Sequence, residues 1–340
     1  MTEYKELEHK AAGHDGTLTD EEGLLVFKPL NEQELQFYKD VQQLLTEDTG
    51  TEGDVPLESW MPAHLGVLDE GHKVPEKLAN DVQVIDSGED LINIPNFPTN
   101  YGDLGTNNRF LVLQNLTSGF NKPNIIDIKL GKILYDENAT EEKKHRLSKV
   151  SDTTTSGSLG FRICGMRIQA NKMTSTLDPD HHEFQSQGEY VFINKMFGRT
   201  RTVEDVTEAF ETYFTNDSLN EKRRNHLKTI FHQRLQLFFN TILNSEVRMI
   251  SSSLLFIYEG DASRWNQQND EDSLINDEFI DYEDEESQDS DSDDIIPKAP
   301  LSLMALIDFA HSTVTKGAGY DENVIEGVES LLDIFSKLND

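Results

Sequence analysis

Nine residues near the middle of the chain, Pro123–Gly131 (Pro-Asn-Ile-Ile-Asp-Ile-Lys-Leu-Gly), restrict the fold more than any other stretch. Their side chains alternate with period two. Ile126, Ile128 and Leu130 point to one side, and Ile125, Asp127, Lys129 and Gly131 to the other, as a half-buried strand requires. Asp127 and Lys129 therefore stand side by side, roughly 6.5–7 Å apart along the strand. An acceptor and a fixed ammonium at that spacing suit phosphoryl transfer, which needs a positioned hydroxyl and neutralised phosphate charge more than covalent chemistry. Gly131 leaves room for a ligand to approach the backbone. The plainer alternative is an Asp/Lys pair on the wet face of a sheet.

Composition narrows the class. A chain of 340 residues can bury one large core or two modest lobes. Its formal net charge of −33 argues against a nucleic-acid binder working through its bulk surface. Residues 270–294 hold fourteen Asp or Glu and no Lys or Arg, and the rest is acidic too, so any polyanion site has to be a local basic pocket. The one cysteine, Cys164, excludes an internal disulfide and a Cys-based zinc cluster, and in the apolar run 161–166 it reads as a small buried hydrophobe. No apolar run of about 18 residues and no signal-peptide pattern is present, so a soluble intracellular protein is expected.

Along the chain, residues 1–8 read as a frayed polar terminus, His9–Thr17 as a small glycine-bearing turn, and Gly23–Pro29 as a strand ending in Lys28. Asn31–Leu45 is a helix, with Asn31 as cap, Glu34 at the reciprocal capping-box position, and Leu35, Tyr38, Val41, Leu44 and Leu45 as its stripe. It is expected to back the first sheet. Residues 46–56 and 69–90 read as loops around a Trp60–Leu68 strand interrupted by Pro62. Arg109–Leu116 is an apolar strand, followed by a polar linker, Thr117–Asn121.

Glu137–Val150 gathers Lys143, Lys144, His145, Arg146 and Lys149 in a helical piece, either a solvated face partnered by Glu141 and Glu142 or a clamp for phosphates. Ser151–Gly160 reads as flexible, Phe161–Ala170 as a strand offering Arg167, 171–188 as a loop insertion, and Glu189–Phe197 as a strand. Two amphipathic helices follow: Val203–Phe214, capped by Thr202 with Asp205 three residues on, and Glu221–Leu243 with Leu227, Ile230, Phe231, Leu235, Phe238 and Ile242 on its stripe. Met249–Tyr258 and Leu301–Phe309 read as paired strands, and Asn323–Leu338 as a closing helix. Asp308, at a strand end, is where a carboxylate can hold Mg2+ bridging nucleotide phosphates, with His311 three residues beyond. The acidic stretch reads as disordered, a solvated loop or a dock for a basic partner, with Ser290 as a phosphorylation candidate. No G-x-x-x-x-G-K-[ST] run and no H-R-D/D-F-G set occurs, which excludes a Walker site and a protein-kinase signature.

The central stretch has the form P-x-x-x-D-x-K-x-G, and with Ser252-Ser253-Leu254-Leu255 and Ile307-Asp308-Phe309 it resembles the inositol polyphosphate kinases. Leu-Tyr-Asp after the signature and Phe-Arg-Ile-Cys-Gly-Met-Arg at 161–167 resemble the fungal multikinases among them, and the likeness runs from about His9 to Phe335. It implies an α+β, two-lobed kinase-like fold with antiparallel sheets and ATP at the lobe interface. The first lobe would span 1–118, with a hinge near 114–116. The second would span 119–340, with an inositol phosphate segment at about 132–170 and the acidic insertion at about 270–298.

By the same resemblance the activity is ATP-dependent phosphorylation of inositol trisphosphate and tetrakisphosphate towards the pentakisphosphate. Lys28 would hold ATP phosphates and Asp308 the Mg2+. Gln114, Asn115 and Leu116 would meet adenine through their backbone. Lys129 would contact the transferring phosphate or the substrate, and Asp127 either the ribose hydroxyls or the attacking inositol hydroxyl. Lys143, Lys149, Arg167 and His311 would take substrate phosphates. The alternatives are a kinase restricted to one position of the trisphosphate, one preferring the hexakisphosphate, or a non-catalytic protein binding basic nuclear proteins through 270–294. Nothing before His9 reads as the regulatory extension of calmodulin-regulated relatives. A monomer in nucleus and cytoplasm, without direct nucleic-acid contact, completes the expectation.

Overall fold

The alternation at 123–131 becomes the spine of the larger of two lobes. The computed structural model describes residues 5–7, 9, 11, 16–47, 55–69, 91–92, 109–275 and 300–339. The first sheet contains β1 (Lys5–Glu6), β2 (Leu18–Thr19), β3 (Leu25–Pro29), β4 (His64–Asp69), β5 (Leu91–Ile92) and β6 (Arg109–Gln114), in the spatial order β1-β2-β3-β6-β4-β5. The second contains β7 (Pro123–Leu130), β8 (Phe161–Gln169), β9 (His182–Gln185) and β10 (Tyr190–Ile193). After β11 (Val247–Met249), which stands apart, β12 (Ser253–Glu259) and β13 (Ser302–Ile307) complete it in the order β13-β12-β7-β8-β10-β9. β11 pairs instead with β14 (Ser312–Val314). All ladders are antiparallel except β4–β5.

Register on β7 assigns its two faces. Ile126, Ile128 and Leu130 share one buried core with Phe256 of β12, Ile163 and Met166 of β8, and the helices α5 (Val206–Phe214), α6 (Glu221–Leu243), α7 (Ala262–Gln267) and α8 (Glu322–Asn339). The α6 stripe expected from sequence is buried throughout, and the helix starts at Asn220, whose side chain accepts from Arg223 N. The opposite face of β7 carries Ile125, Asp127 and Lys129, across from Ile257, Leu255 and Ser253 of β12. It is not wet: Asp127 is 4% exposed.

Several expectations change on contact with packing. Trp60 lies in a 3-10 turn, Leu57–Trp60, and only His64 onward is strand, because the Trp60 indole is drawn into the core to donate to Thr241 Oγ1 at 3.0 Å. Ser151–Gly160 is ordered rather than flexible. Helix α2 (Glu141–Asp152) runs through Ser151, and a short α3 (Thr155–Leu159), with Thr154 as its cap, ends at Gly160 in the left-handed region. Residues 171–188 include β9 and 3-10 turns, and the strand at 189–197 gives way to α4 (Lys195–Arg199), capped by Asn194. Val203 and Thr202 stay outside α5, where Thr202 N donates to Asp205 Oδ1. Met249 belongs to β11, separated from β12 by Ser251 with φ of 63°. Helix α1 (Glu32–Glu47) does join the core with Leu111 and Leu113, yet it also reaches across the lobes, stacking Phe37 on Phe309 with ring centroids 4.9 Å apart.

Gly131 answers to packing rather than to a ligand. Its φ is +96°, and an added Cβ would lie 2.4 Å from Asn323 Nδ2. The Asn323 side chain accepts from Lys132 N and Ile133 N, both at 2.8 Å, and so fastens α8 to the end of the signature.

The acidic stretch also begins differently from the expectation of a solvated loop. Asp270 pairs with Arg223 at 2.7 Å, and Asp272 accepts from Leu301 N and Ser302 Oγ and lies 3.6 Å from the buried Arg234. Arg234 also donates to Ser273 O and Leu274 O, while Ile275 packs on the core. Residues 276–294, with Phe279, Ile280 and Ser290, lie outside the described residues. Asp272→Ala would leave the Arg234 guanidinium uncompensated in the core. We expect a loss of about 3–5 kcal/mol in denaturant melts, against less than about 1 kcal/mol for the exposed Glu271→Ala.

Candidate functional site

The two sheets meet at a lysine held between two carboxylates. Lys28 sits on β3 opposite Leu111, and its Nζ lies 2.7 Å from Asp308 Oδ1 and 2.8 Å from Glu34 Oε1. Burial works against the ammonium, but Asp308 and then Glu34 outweigh it and hold the Lys28 pKa above the ordinary lysine value. Glu34 does not close the capping box expected of it. Asn31 Oδ1 accepts from Gln33 N and Glu34 N as a one-sided cap, and the Glu34 carboxylate turns to Lys28 and to Phe309 N at 3.2 Å. Glu34 thus ties the start of α1 to the backbone beside Asp308. Asp308 itself has φ of 66°, a conformation costing a non-glycine residue of the order of 1–3 kcal/mol and found where function demands it.

Beside this triangle lies the signature pair. Burial pushes the Asp127 carboxyl up to about 6; Lys129 opposes the rise, Asp308 adds to it, and Ser253 and Arg162 lower it. Ser253 is near enough to act on the carboxyl, yet among the described residues neither Asp127 Oδ1 nor Ser253 Oγ completes a hydrogen bond of ordinary geometry. An unsatisfied buried carboxylate oxygen calls for a hydroxyl donor or a cation. Lys129 Nζ donates to Ser251 O at 2.5 Å, and Ser251 Oγ donates to Leu134 O. Residues 132–136 lead on towards His311: Tyr135 OH accepts from Ser148 Oγ of α2, and Asp136 lies 2.5 Å from His311 Nδ1, off the line of a hydrogen bond.

The other predicted residues separate. On α2, capped by Thr140, Lys144 pairs with Glu141, whereas half-buried Lys143 and exposed Lys149 have no carboxylate partner among the described residues. Arg167 shares the sheet face of Asp127 but is 2% exposed, stacked 3.8 Å over the Tyr190 ring and donating to Gln185. At the expected hinge, Gln114 N donates to Ala63 O, and Asn115 uses its amide, carbonyl and side chain on Leu24, Ser118, Gly23 and Thr117. Leu116 makes no backbone hydrogen bond among the described residues. Behind it, Leu116, Phe120, Ile125, Leu255, Ile257 and Leu303 form an apolar floor on the Asp127 face, able to seat a flat ring. Ala11 O crosses that face so closely that a Cβ at Gly165, opposite Asp127, would come within 2.0 Å of it. Lys10 and residues 12–15 of the expected glycine-bearing turn lie outside the described residues.

Sequence reasoning missed Glu34 as a partner of Lys28, buried Glu259, and Arg162. Glu259 accepts from Asn121 N and Lys122 N and binds Arg264, locking the linker to β12. Its signal was faint: a glutamate ending an apolar strand. Arg162 stands directly opposite Lys129.

The sequence matches the family model for inositol polyphosphate kinase over residues 110–336. It is 52% identical to the inositol polyphosphate multikinase of Saccharomyces cerevisiae over 99% of each chain. Identity is 28% to that of Schizosaccharomyces pombe, over 97% of this chain and 96% of the relative. Inositol hexakisphosphate kinase 2 of Oryctolagus cuniculus is 28% identical over 68% of this chain and 52% of its own length. Among solved structures, that of inositol phosphate multikinase Ipk2 from S. cerevisiae in complex with ADP and Mn2+ superposes with a TM-score of 0.72 at 47% identity, covering 93% of this chain and 100% of that one.

The raised pKa of Asp127 has a fixed sign for stability. Between the ordinary value of 3.8 and about 6, the folded chain keeps a proton that the unfolded chain has released, so this group takes stability away as pH rises through that window. Asp127→Asn removes the effect. Relative to the parent, the variant should gain about 2–3 kcal/mol between pH 4 and pH 8 in denaturant melts. A gap independent of pH would show that Asp127 ionises normally.

Proposed function

The chain belongs to the inositol polyphosphate kinase family, and from that premise we propose that it transfers the terminal phosphate of ATP to free hydroxyls of inositol trisphosphate and tetrakisphosphate, moving towards the pentakisphosphate. The carrying observation is the Lys28–Asp308 ion pair between the two sheets, set against the unsatisfied oxygen of Asp127. On this reading the lobes divide near residue 118, with adenine on the apolar floor against the Leu116 backbone and phosphates towards Lys28.

The residues suit a nucleotide-bound divalent cation, which we propose is Mg2+. Among the described residues no three carboxylate, histidine or cysteine side chains cluster, so most of a cation's shell has to come from phosphate oxygens and water, as Mg2+ prefers. Asp308 would hold it, and there it would neutralise charge on the transferring phosphate. Lys28 binds phosphate oxygens, with Glu34 fixing its direction. Lys129 meets charge developing on the transferring group. Asp127 accepts a hydrogen bond from a hydroxyl, of the ribose or of the attacking inositol, and the nucleotide affinity of Asp127→Asn separates the two. Lys143, Lys149, Arg167 and His311 are proposed substrate-phosphate contacts, and Arg167 has to reach substrate from its stack on Tyr190.

The acidic stretch as a dock for basic nuclear proteins, a nuclear and cytoplasmic location and a monomeric state belong to the same proposal. Asp270 and Asp272 are already engaged by arginines, so a docking partner would use the acids beyond them. No helix among the described residues is long and apolar enough to cross a membrane.

The proposal is tested by incubating the protein with ATP, Mg2+ and a panel of inositol phosphates, with products resolved by position. Trisphosphate and tetrakisphosphate should be consumed as pentakisphosphate accumulates; consumption of the hexakisphosphate alone would overturn the reading. Asp308→Asn should abolish turnover with the fold intact, and near-normal activity at saturating Mg2+ would assign the cation to another carboxylate. Lys129→Ala should lower kcat by about 100-fold or more, whereas a rise in KM alone would make Lys129 a ground-state binder.

A further inference from the structure

A row of directly paired residues crosses four strands on the face that carries Asp127: Ile307 of β13, Ser253 of β12, Lys129 of β7 and Arg162 of β8. Asp308 follows Ile307 at one end of the row, and Arg162 stands at the other. Adjacent strands lie about 4.8 Å apart, so Arg162 flanks Lys129 on the side away from Asp308. The bulge at Cys164 sets this register, since Asp127 faces Gly165 while Ile128 faces Ile163.

Arg162 is half-buried, and its one side-chain hydrogen bond among the described residues runs from Nη1 to Ser156 Oγ at 3.0 Å. Ser156 is fully buried on α3, so this bond orients the guanidinium without neutralising it. In a chain with 63 acidic residues, Arg162 has no carboxylate partner among the described residues, whereas Lys28 has two and Arg223, Arg234 and Arg264 have one each. Its pairing with Lys129 puts it on the Asp127 face, near enough for its charge to act on the Asp127 carboxyl. A guanidinium carries five donors, and a fixed, half-exposed one with a single neutral partner fits a phosphate group.

We propose that Arg162 binds a phosphate group of the inositol polyphosphate acceptor, beyond Lys129 from Asp308, and so favours acceptors carrying more phosphates. The inference rests on the acceptor class proposed above. Nucleotide phosphates lie towards Lys28 and Asp308, the transferring group passes Lys129, and the row continues into the acceptor's own charge.

The test is steady-state kinetics of the full chain and of Arg162→Leu and Arg162→Lys, with trisphosphate, tetrakisphosphate and ATP varied in turn, alongside thermal melts. The leucine variant should raise the acceptor KM by about 10-fold or more, more for tetrakisphosphate than for trisphosphate, while kcat and the KM for ATP stay within about twofold. The lysine variant, which keeps the charge but not the fork, should fall between, and it carries the test if the leucine variant does not fold. Unchanged acceptor KM, or a loss shared equally by ATP and acceptor together with a lowered melting temperature, would reduce Arg162 to a tether for α3 and overturn the proposal. An unsubstituted chain inactive on every inositol phosphate would instead sink the functional reading itself.

Discussion

One ammonium between two carboxylates joins everything this chain has to bring together. Lys28 and Asp308 are separated by 280 positions, and their contact at 2.7 Å fixes one lobe against the other at the point where the proposed reaction handles phosphate charge. Neither partner is in an easy state. Lys28 is largely desolvated, and Asp308 adopts a left-handed backbone that a non-glycine residue avoids. Glu34 makes the arrangement stable by serving both, as a second acceptor for Lys28 and as the acceptor for the amide following Asp308. The same helix adds Phe37 and Tyr38 around Phe309, so apolar packing supports the ionic contact.

The second sheet supplies what the triangle lacks. Its inner face is a continuous apolar core, which leaves the outer face of β7 free to carry charge. There, burial and a nearby carboxylate keep Asp127 reluctant to ionise, while Lys129 and Arg162 pull the other way. The site is therefore poised by opposed terms. That balance is sensitive to any cation or phosphate arriving between Asp127 and Asp308, as expected where charge moves during a reaction.

Much of this was legible from sequence where a local rule decided the outcome. Period two named the two faces of 123–131, and the stripe of Glu221–Leu243 gave a helix with the same bounds. Other residues were misread because a distant partner overrode the local rule. Glu34 sits at the capping-box position, but Lys28 is a stronger partner than an exposed backbone amide. Ser151–Gly160 has the composition of a loop, yet its hydroxyls cap and cross-link, as in Ser151 Oγ to Lys132 O and Thr154 Oγ1 to Val150 O. Asp270 and Asp272 look like the start of an acidic run until Arg223 and Arg234, dozens of positions earlier, claim them. Arg162 was hidden for another reason: alternation on β8 places it correctly only once the bulge at Cys164 is known.

The central claim is that Lys28 and Asp308 act as one unit across the lobes. A double-mutant cycle with Lys28→Met and Asp308→Asn, read as kcat/KM for inositol trisphosphate, tests it most directly. Residues that act as a unit are non-additive, so the double variant should be no more impaired than the worse single one. Losses that multiply, each substitution imposing its full effect in the presence of the other, would show two independent contacts and contradict the account.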